Sequence, residues 1–158
     1  MNDYKQLIDT FYNAFAARDY GTMGACYHAE IQFTDPVFTL RGKEAGAMWH
    51  MLCESGRDLK VVHNNVWADD STGRVHWEAW YTFSTGRKVH NIIDATFRFQ
   101  DGRIIGHQDR FGFWRWTRQA LGPAGWALGW TPMVRNRVRK TARQRLDRFI
   151  AAHPEYQP

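Results

Sequence analysis

The sequence predicts a single α+β domain in which a bent antiparallel sheet wraps around N-terminal helices like a cone, followed by a C-terminal helix. Apolar residues recur at the helical spacing of about 3.6 in the first third of the chain. After Gly56 their period falls to about two, which is typical of strands. The chain has 158 residues, 44% of them hydrophobic, which suffices for one core and is too short for two ordinary domains.

Three amphipathic helices are predicted in the first part of the chain. The first covers residues 3–17 and places its apolar side chains on one face. Asp19 is expected to cap a second, short helix, and a third lies between Gly42 and Gly56. Residues 31–34 alternate between apolar and polar, which indicates a strand between the second and third helices.

Four antiparallel strands are predicted next, at about 58–68, 74–84, 88–100 and 103–114. Hairpin turns are expected at Thr85-Gly86 and Gln100-Asp101-Gly102, because glycine tolerates a positive φ. These strands complete a cone domain over residues 1–117.

The remaining residues, 118–158, are expected to form a helical extension packed on the same domain. A short helical stretch precedes a predicted loop over residues 122–130. The final helix is expected to begin at Thr131-Pro132, a capping residue followed by a proline at the first helical position.

Charge and composition exclude several classes of protein. The net charge of +5 resides in residues 131–158, which carry seven basic and two acidic residues, so the remaining globule is neutral and nucleic-acid binding is not expected. No run of 18 uncharged apolar residues could span a bilayer. The start of the chain lacks a signal-peptide pattern, and Cys26 and Cys53 form no disulfide framework, so we expect a cytoplasmic protein.

Three segments carry a family resemblance: Phe33-Thr-Asp-Pro-Val, Thr96-Phe-Arg-Phe-Gln-Asp-Gly-Arg-Ile-Ile and His107-Gln-Asp-Arg-Phe. With this order of elements, residues 3–113 resemble the nuclear transport factor 2-like superfamily. Within it they are most similar to SnoaL-like polyketide cyclases and ketosteroid isomerases. The resemblance implies the cone fold, a small-molecule site in its interior, no cofactor, and a homodimer formed through the outer sheet face.

The last predicted strand holds the first candidate for catalysis. Side chains alternate along a strand, so His107, Asp109 and Phe111 share one face, and the apolar Phe111 indicates that this face is internal. A carboxylate among aromatic rings is partly desolvated, which makes it a stronger base. The resemblance implies that Asp109 removes a proton next to a carbonyl group. The structural alternative is a strand-end aspartate that pairs with Arg110 or with a backbone amide.

Asp35 is the second candidate, since ketosteroid isomerases carry their base at the matching position, although aspartate before proline also starts turns. Asp35 or His107 would then be the proton partner of Asp109. The resemblance to these isomerases fails at the donors that hold the enolate oxygen. Their helix-1 tyrosine matches Phe11, with Tyr12 beside it, and their protonated aspartic acid matches Ala95.

Other residues are expected to contact the substrate. Glu78 shares a strand face with Trp80, and counting from the hairpin predicts that this face is internal. The alternative is a surface glutamate bonded to Arg74 or His76. His63 and Asn91 could orient a ligand carbonyl. The full set of expected contacts is Trp80, Phe97, Phe111, Asn91, His63, Glu78, Phe11 and Tyr12.

No metal site is expected. His107-x-Asp109 matches two arms of an iron-binding facial triad, but only His153 follows as a later histidine. His28, His63 and His90 show no ligand spacing.

The leading hypothesis is a cofactor-free isomerase- or cyclase-like enzyme acting on a small, mostly apolar or polycyclic carbonyl compound. The second is a non-catalytic ligand-binding or association module, since one fold can host both. The third is epoxide hydrolysis, in which the late-strand aspartate matches Asp109 but the accompanying arginine and second aspartate are missing. The basic, tryptophan-rich C-terminal segment is expected to pack on its own domain or on a partner copy, with contact to anionic lipid as the alternative.

Overall fold

The structure is a computed structural model and describes residues 3–158. The described part of the chain contains seven helical elements and six strands. In order they are α1 (Tyr4–Ala16), α2 (Tyr20–Cys26), β1 (Tyr27–Thr34), β2 (Thr39–Arg41), α3 (Lys43–Ser55), β3 (Lys60–Ala68), β4 (Thr72–Thr82), β5 (Lys88–Gln100), β6 (Arg103–Arg110), α4 (Phe113–Leu121), α5 (Pro123–Leu128), α6 (Pro132–Ala152) and a final 3₁₀ turn, α7 (Pro154–Tyr156).

The predicted α+β fold class is confirmed, with one correction to the sheet. Its six strands follow the order β2-β1-β6-β5-β4-β3, and neighbouring strands are antiparallel except for the parallel pair β1 and β6. The sheet is therefore mixed rather than antiparallel. Strand β2 was not predicted, because three residues are too few for a period of two to show.

One face of the sheet, the inner face, packs against α1, α2 and α3 and holds the main core. Helix α1 begins after Asp3, whose carboxylate accepts a hydrogen bond from the Gln6 amide. Its apolar stripe then buries Ile8, Phe11 and Phe15. The helix thus carries aromatic rings into the space that the sheet encloses, and this space contains the candidate site described below.

The predicted loop over residues 122–130 is wrong, because most of it forms α5. Pro123 starts this helix at a position where its missing N–H is not needed. The glycines that indicated a loop serve close packing instead. A Cβ atom at Gly125 would lie 2.0 Å from the Thr117 carbonyl oxygen, and one at Gly129 would lie 2.0 Å from the Thr117 hydroxyl oxygen.

Helix α6 begins as predicted, with the Thr131 side chain accepting from the Val134 amide. Leu146 is fully buried against the main core. Other apolar residues of this helix are half-buried, namely Val134, Val138, Ala142 and Phe149. Arg143 pairs with Glu44 at the start of α3. None of the helices in the described part of the chain is both long and apolar enough to span a membrane.

Candidate functional site

Strand β6 directs two ionisable side chains into the interior. His107 and Asp109 are 3% and 4% exposed, whereas their neighbours Gln108 and Arg110 face solvent. This is the alternation expected from a period of two. A histidine and an aspartate are therefore enclosed together on the inner face of the sheet.

A chain of hydrogen bonds connects these two residues to three more side chains. The Trp49 indole N–H donates to the Tyr27 hydroxyl oxygen at 2.8 Å, and that oxygen lies 2.7 Å from His107 Nδ1. His107 Nε2 lies 3.0 Å from Asp109 Oδ1, which also accepts from the Trp77 indole N–H at 3.2 Å. We call these five residues, Trp49, Tyr27, His107, Asp109 and Trp77, the buried relay.

The direction of the relay follows from its acceptor end, because a carboxylate oxygen accepts and an indole N–H can only donate. His107 donates from Nε2 to Asp109 Oδ1, so neutral His107 has its lone pair on Nδ1. The Tyr27 hydroxyl donates to that nitrogen and accepts from Trp49. Oδ1 thus receives two N–H donors, an arrangement suited to an ionised carboxylate. Oδ2 takes part in neither bond.

Tyr12 brings a further hydroxyl into the same interior. It is fully buried, and its hydroxyl makes no hydrogen bond within residues 3–158. Burial raises its pKa well above the usual range, and the charge of Asp109 raises it further, so the group remains a donor. A buried hydroxyl without a partner costs about 1–3 kcal/mol. The helix-1 tyrosine of the isomerases matches Phe11, which has no hydroxyl, and the next residue, Tyr12, supplies a hydroxyl instead.

Asp35 lies at the end of β1, close to the relay. Thr34 pairs with Gln108 across the parallel strands, so the next residue along β1 comes level with Asp109. Asp35 Oδ1 accepts from the backbone amides of Val37 and Phe38 at 2.7 and 2.6 Å, which is the turn geometry offered as its structural alternative. Burial nevertheless raises its pKa to about 6, the backbone hydrogen bonds oppose this shift, and the charge of Asp109 adds to it.

The C-terminal segment covers the end of the interior where Asp35 lies. The Trp116 indole N–H on α4 donates to the Tyr81 hydroxyl at 2.7 Å. Burial raises the pKa of Tyr81 to about 12, and the nearby charge of Asp35 contributes. Phe111, which is half-buried, packs against both the main core and the cluster around Trp116. This end is therefore closed by aromatic side chains.

Glu78 and Trp80 lie on the opposite, outer face of the sheet, so the prediction that they face the interior is wrong. A two-residue turn at Thr85-Gly86 would pair Thr82 with Val89, but Thr82 pairs with Lys88. A slip of one residue exchanges the two faces of a strand. Glu78 accepts from His90 Nε2 at 2.7 Å. It also bonds His76, as its structural alternative proposed.

The remaining candidates lie inside or at the edge of the interior. Phe97 and Asn91 are buried on the inner face of β5, and Phe11 is buried in α1. His63 is half-buried and bonds Asp9 through Nε2 at 2.8 Å, which leaves it engaged with α1 rather than with the relay.

Sequence reasoning missed Trp77 and the connecting role of Tyr27 and Trp49. A signal existed for Trp77: the set Val75, Trp77 and Ala79 is wholly apolar, whereas the alternate set on β4 contains a histidine and a glutamate. Nothing in the spacing indicates that Tyr27 and Trp49 meet His107, because the three residues come from separate elements.

A groove of about 550 Å³ crosses the outer face of the sheet. Arg74 and Arg98 contribute to its lining, and the Arg74 guanidinium lies 4.8 Å from the centre of the Trp67 ring. This groove is separated by the sheet from the hydroxyl of Tyr12. Around the relay, aromatic rings pack tightly: Tyr12 lies 5.6 Å from Trp77, and Trp49 lies 5.9 Å from His107, between ring centres.

Known proteins share this architecture. The model of the SnoaL-like domain matches residues 8–107. A Mycobacterium tuberculosis epoxide hydrolase of the LEH-like type is 18% identical with a TM-score of 0.63, covering 73% of this chain and 87% of that one. A Catenulispora acidiphila protein with a ketosteroid isomerase-like fold, solved with trimethylamine, is 14% identical with a TM-score of 0.65, covering 80% and 97%.

A putative polyketide cyclase from Xanthomonas campestris is 17% identical with a TM-score of 0.60, covering 72% of this chain and 93% of that one. No curated protein matches the sequence. Likenesses at these identities show a shared fold.

Proposed function

The chain belongs to the SnoaL-like domain family, and we propose that it is a cofactor-free enzyme that moves a proton next to a carbonyl group of a small, mostly apolar molecule. Asp109 is the general base. The observation that carries the proposal is an enclosed carboxylate beside a buried, unpartnered hydroxyl, Tyr12.

Asp109 suits the removal of a proton from carbon. Its Oδ1 is held by Trp77 and His107, so the carboxylate cannot rotate freely and Oδ2 has a fixed direction. A carboxylate held in this way needs no reorganisation when the proton moves, which lowers the activation free energy. His107 is a positioning residue here, because it acts through the bond it donates to Asp109.

Tyr12 suits the stabilisation of the charge that forms. When the C–H bond next to a carbonyl breaks, its proton goes to Asp109 Oδ2 and its electron pair moves onto the carbonyl oxygen. A hydroxyl donor aimed at that oxygen stabilises the enolate. Asp109 then returns the proton to a second carbon, which gives isomerisation. Alternatively, the enolate carbon attacks another carbonyl of the same molecule, and the alkoxide that forms takes the proton from Asp109, which gives cyclisation.

Asp35 suits the role of proton partner. Its pKa of about 6 means that a part of the population is protonated near neutral pH, next to the hydrogen-bond acceptor Asp109. Two carboxyl groups with different protonation states supply an acid and a base from one residue type. Asp35 would give a proton to the oxygen of the intermediate and take it back when the carbonyl re-forms.

The side chains around Asp109 favour one class of substrate. The interior is lined by aromatic rings such as Phe97, Trp77 and Phe111, which favour a flat apolar or polycyclic molecule with one carbonyl acceptor.

The tight packing of these rings favours the second candidate, a ligand-binding or association module without catalysis. The two candidates differ in whether proton transfer occurs.

The experiment is base-catalysed ring opening of a benzisoxazole, which reports proton removal from carbon without knowledge of the natural substrate. Asp109→Asn is expected to lower the rate by about 100- to 10,000-fold. Asp94→Asn is the matched control, because Asp94 lies on the adjacent strand and faces solvent. It should keep the wild-type rate. If the wild type is no faster than free acetate, or Asp109→Asn keeps its rate, the enzyme proposal fails.

We further propose that the protein acts in the cytoplasm as a homodimer formed through the outer sheet face. Val62, Trp67 and Ile92 expose apolar surface there, at 38–42% exposure. The cytoplasmic location is supported by the cysteines. Cys26 and Cys53 are free and buried, and burial raises the pKa of both thiols to about 11, so they remain protonated. Light scattering of the wild type and of Ile92→Glu measures the mass of the assembly; a monomeric wild type contradicts the dimer.

A further inference from the structure

Three potential metal ligands meet outside the buried relay, where the end of the chain packs on α3. One ligand atom from each of His50, Glu54 and His153 lies within 4.8 Å of the other two. His50 and Glu54 are four residues apart on α3 and therefore share a helix face. His153 directly follows α6 and is held against α3 by Phe149, whose ring centre lies 4.9 Å from that of His50.

We propose that this cluster binds a divalent transition-metal ion, with zinc as the best fit, and that the ion fastens the C-terminal segment to α3. Two imidazoles and one carboxylate form a ligand set that zinc accepts, and the remaining position is filled by water. Softer metals would require thiolates, and Ca²⁺ or Mg²⁺ would require more oxygen ligands than the cluster offers.

His153 is already oriented as a metal ligand. Its Nδ1 lies 2.7 Å from the carbonyl oxygen of Phe149. A carbonyl oxygen can only accept, so the proton of neutral His153 resides on Nδ1 and the lone pair on Nε2. A backbone carbonyl that fixes the tautomer in this way is the usual outer partner of a metal-bound histidine.

His50 can change tautomer without losing a hydrogen bond. Its Nε2 lies 2.9 Å from Glu54 Oε1, and its Nδ1 lies 2.8 Å from the Tyr156 hydroxyl. Without metal, Nε2–H donates to Glu54 and Tyr156 donates to Nδ1. On metal binding, the proton moves from Nε2 to Nδ1 and is donated to the Tyr156 oxygen.

A hydroxyl both donates and accepts, so Tyr156 serves either state of His50. The tautomer shift releases no net proton, and the charge of Glu54 offsets part of the charge of the ion. Only the four-residue spacing of His50 and Glu54 on α3 is visible in the sequence, because the third ligand, His153, follows a separate helix.

The test is titration of the untagged, chelator-treated protein with Co²⁺ and Zn²⁺. The wild type is expected to bind one Co²⁺ with the visible absorption of a four-coordinate site, and Zn²⁺ should displace it. Zn²⁺ should also raise the melting temperature, because an ion that binds only the folded state stabilises it.

His153→Gln and Glu54→Gln should each weaken binding at least tenfold while keeping the circular dichroism spectrum. His28→Gln is the matched control, because His28 bonds Asp101 on a different part of the surface, and its affinity should equal that of the wild type. The proposal is overturned if the wild type does not bind stoichiometrically, or if His153→Gln binds as tightly as the wild type.

Discussion

Two histidine–carboxylate clusters lie on opposite faces of the same sheet, and they behave differently. On the inner face, the side chains of His107 and Asp109 are 0% and 3% exposed. On the outer face, Glu78 bonds His76 and His90, and His76 also bonds Asp94, whose side chain is 78% exposed.

On the outer face these bonds produce ordinary ion-pair shifts. The hydrogen bond to His90, followed by that to His76, lowers the pKa of Glu78, and the hydrogen bond to Asp94 raises the pKa of His76. In a single subunit, water can replace any member of this network, and salt screens it.

On the inner face, two indole N–H donors and the Asp109 carboxylate set the direction of the bonds, and both members of the histidine–carboxylate pair are buried. The same residue types therefore form a surface network on one face and a candidate proton-transfer site on the other. What distinguishes the two clusters is their surroundings, so a residue's identity alone does not show which role it takes.

The largest expected difference between the two faces is in stability. Tyr27→Phe removes the hydroxyl that bonds both Trp49 and His107, which leaves two buried polar groups unpaired. The free energy of unfolding should fall by about 2–4 kcal/mol. Removal of an outer-face partner by His76→Gln should cost less than about 0.5 kcal/mol. Urea denaturation measures both, and equal losses would show that the inner bonds are not special.

Tyr12→Phe should separate stability from activity. It removes an unpartnered buried hydroxyl, so the free energy of unfolding should rise by about 1 kcal/mol. The elimination rate should fall by about 100-fold, as is typical when a donor to a developing oxyanion is lost. A variant that is more stable and equally active would exclude Tyr12 from the chemistry.

Asp35→Asn should change how stability depends on pH. Because the folded pKa of Asp35 is about 6, above its ordinary value of 3.8, the wild type is favoured when this group is protonated. Its contribution is complete below pH 3.8 and is lost as the pH rises through 6. Asparagine does not ionise, so the variant does not show this loss, and its side-chain oxygen still accepts from the amides of Val37 and Phe38.

The gain of Asp35→Asn in the free energy of unfolding over the wild type should therefore grow by about 1–3 kcal/mol between pH 4 and pH 7. Thermal denaturation at the two pH values measures it. A gain that is the same at both would mean that Asp35 is solvated and titrates normally.

The smallest effect is expected for Glu78→Gln. The pKa of Glu78 is lowered from 4.5 and that of His76 is raised from 6.5, so their attraction is greatest between these pH values. It weakens as the pH falls through the lowered pKa of Glu78 or rises through the raised pKa of His76. The melting temperature should drop slightly at pH 5.5 and be unchanged at pH 9; a large drop at both would indicate a structural role.

Much of the fold could be predicted because local patterns determine it. The change of period after Gly56 located the sheet, and the caps at Asp19 and Thr131 located two helices. Where local signals were ambiguous, the predictions failed. The glycines at 125 and 129 indicated a loop, yet they permit close helix packing against Thr117.

The candidate site was predictable only in part. The alternation along β6 was sufficient to place His107 and Asp109 on one face. The face of Glu78 depended on the exact hairpin register, and an error of one residue reversed it. Partners such as Trp49 are brought to His107 by tertiary packing, which no spacing along the chain encodes.

The central claim is that the relay holds Asp109 as a hydrogen-bond acceptor with a fixed direction of hydrogen bonding. Nitrogen-15 NMR of the histidine rings at pH 7 tests it most directly, because it identifies which ring nitrogen carries the proton. We predict that His107 carries its proton on Nε2 and none on Nδ1, and that Asp109→Asn changes this signal while Asp94→Asn does not. A proton on Nδ1 with Nε2 unprotonated would reverse the relay and contradict the assignment of Asp109 as the base.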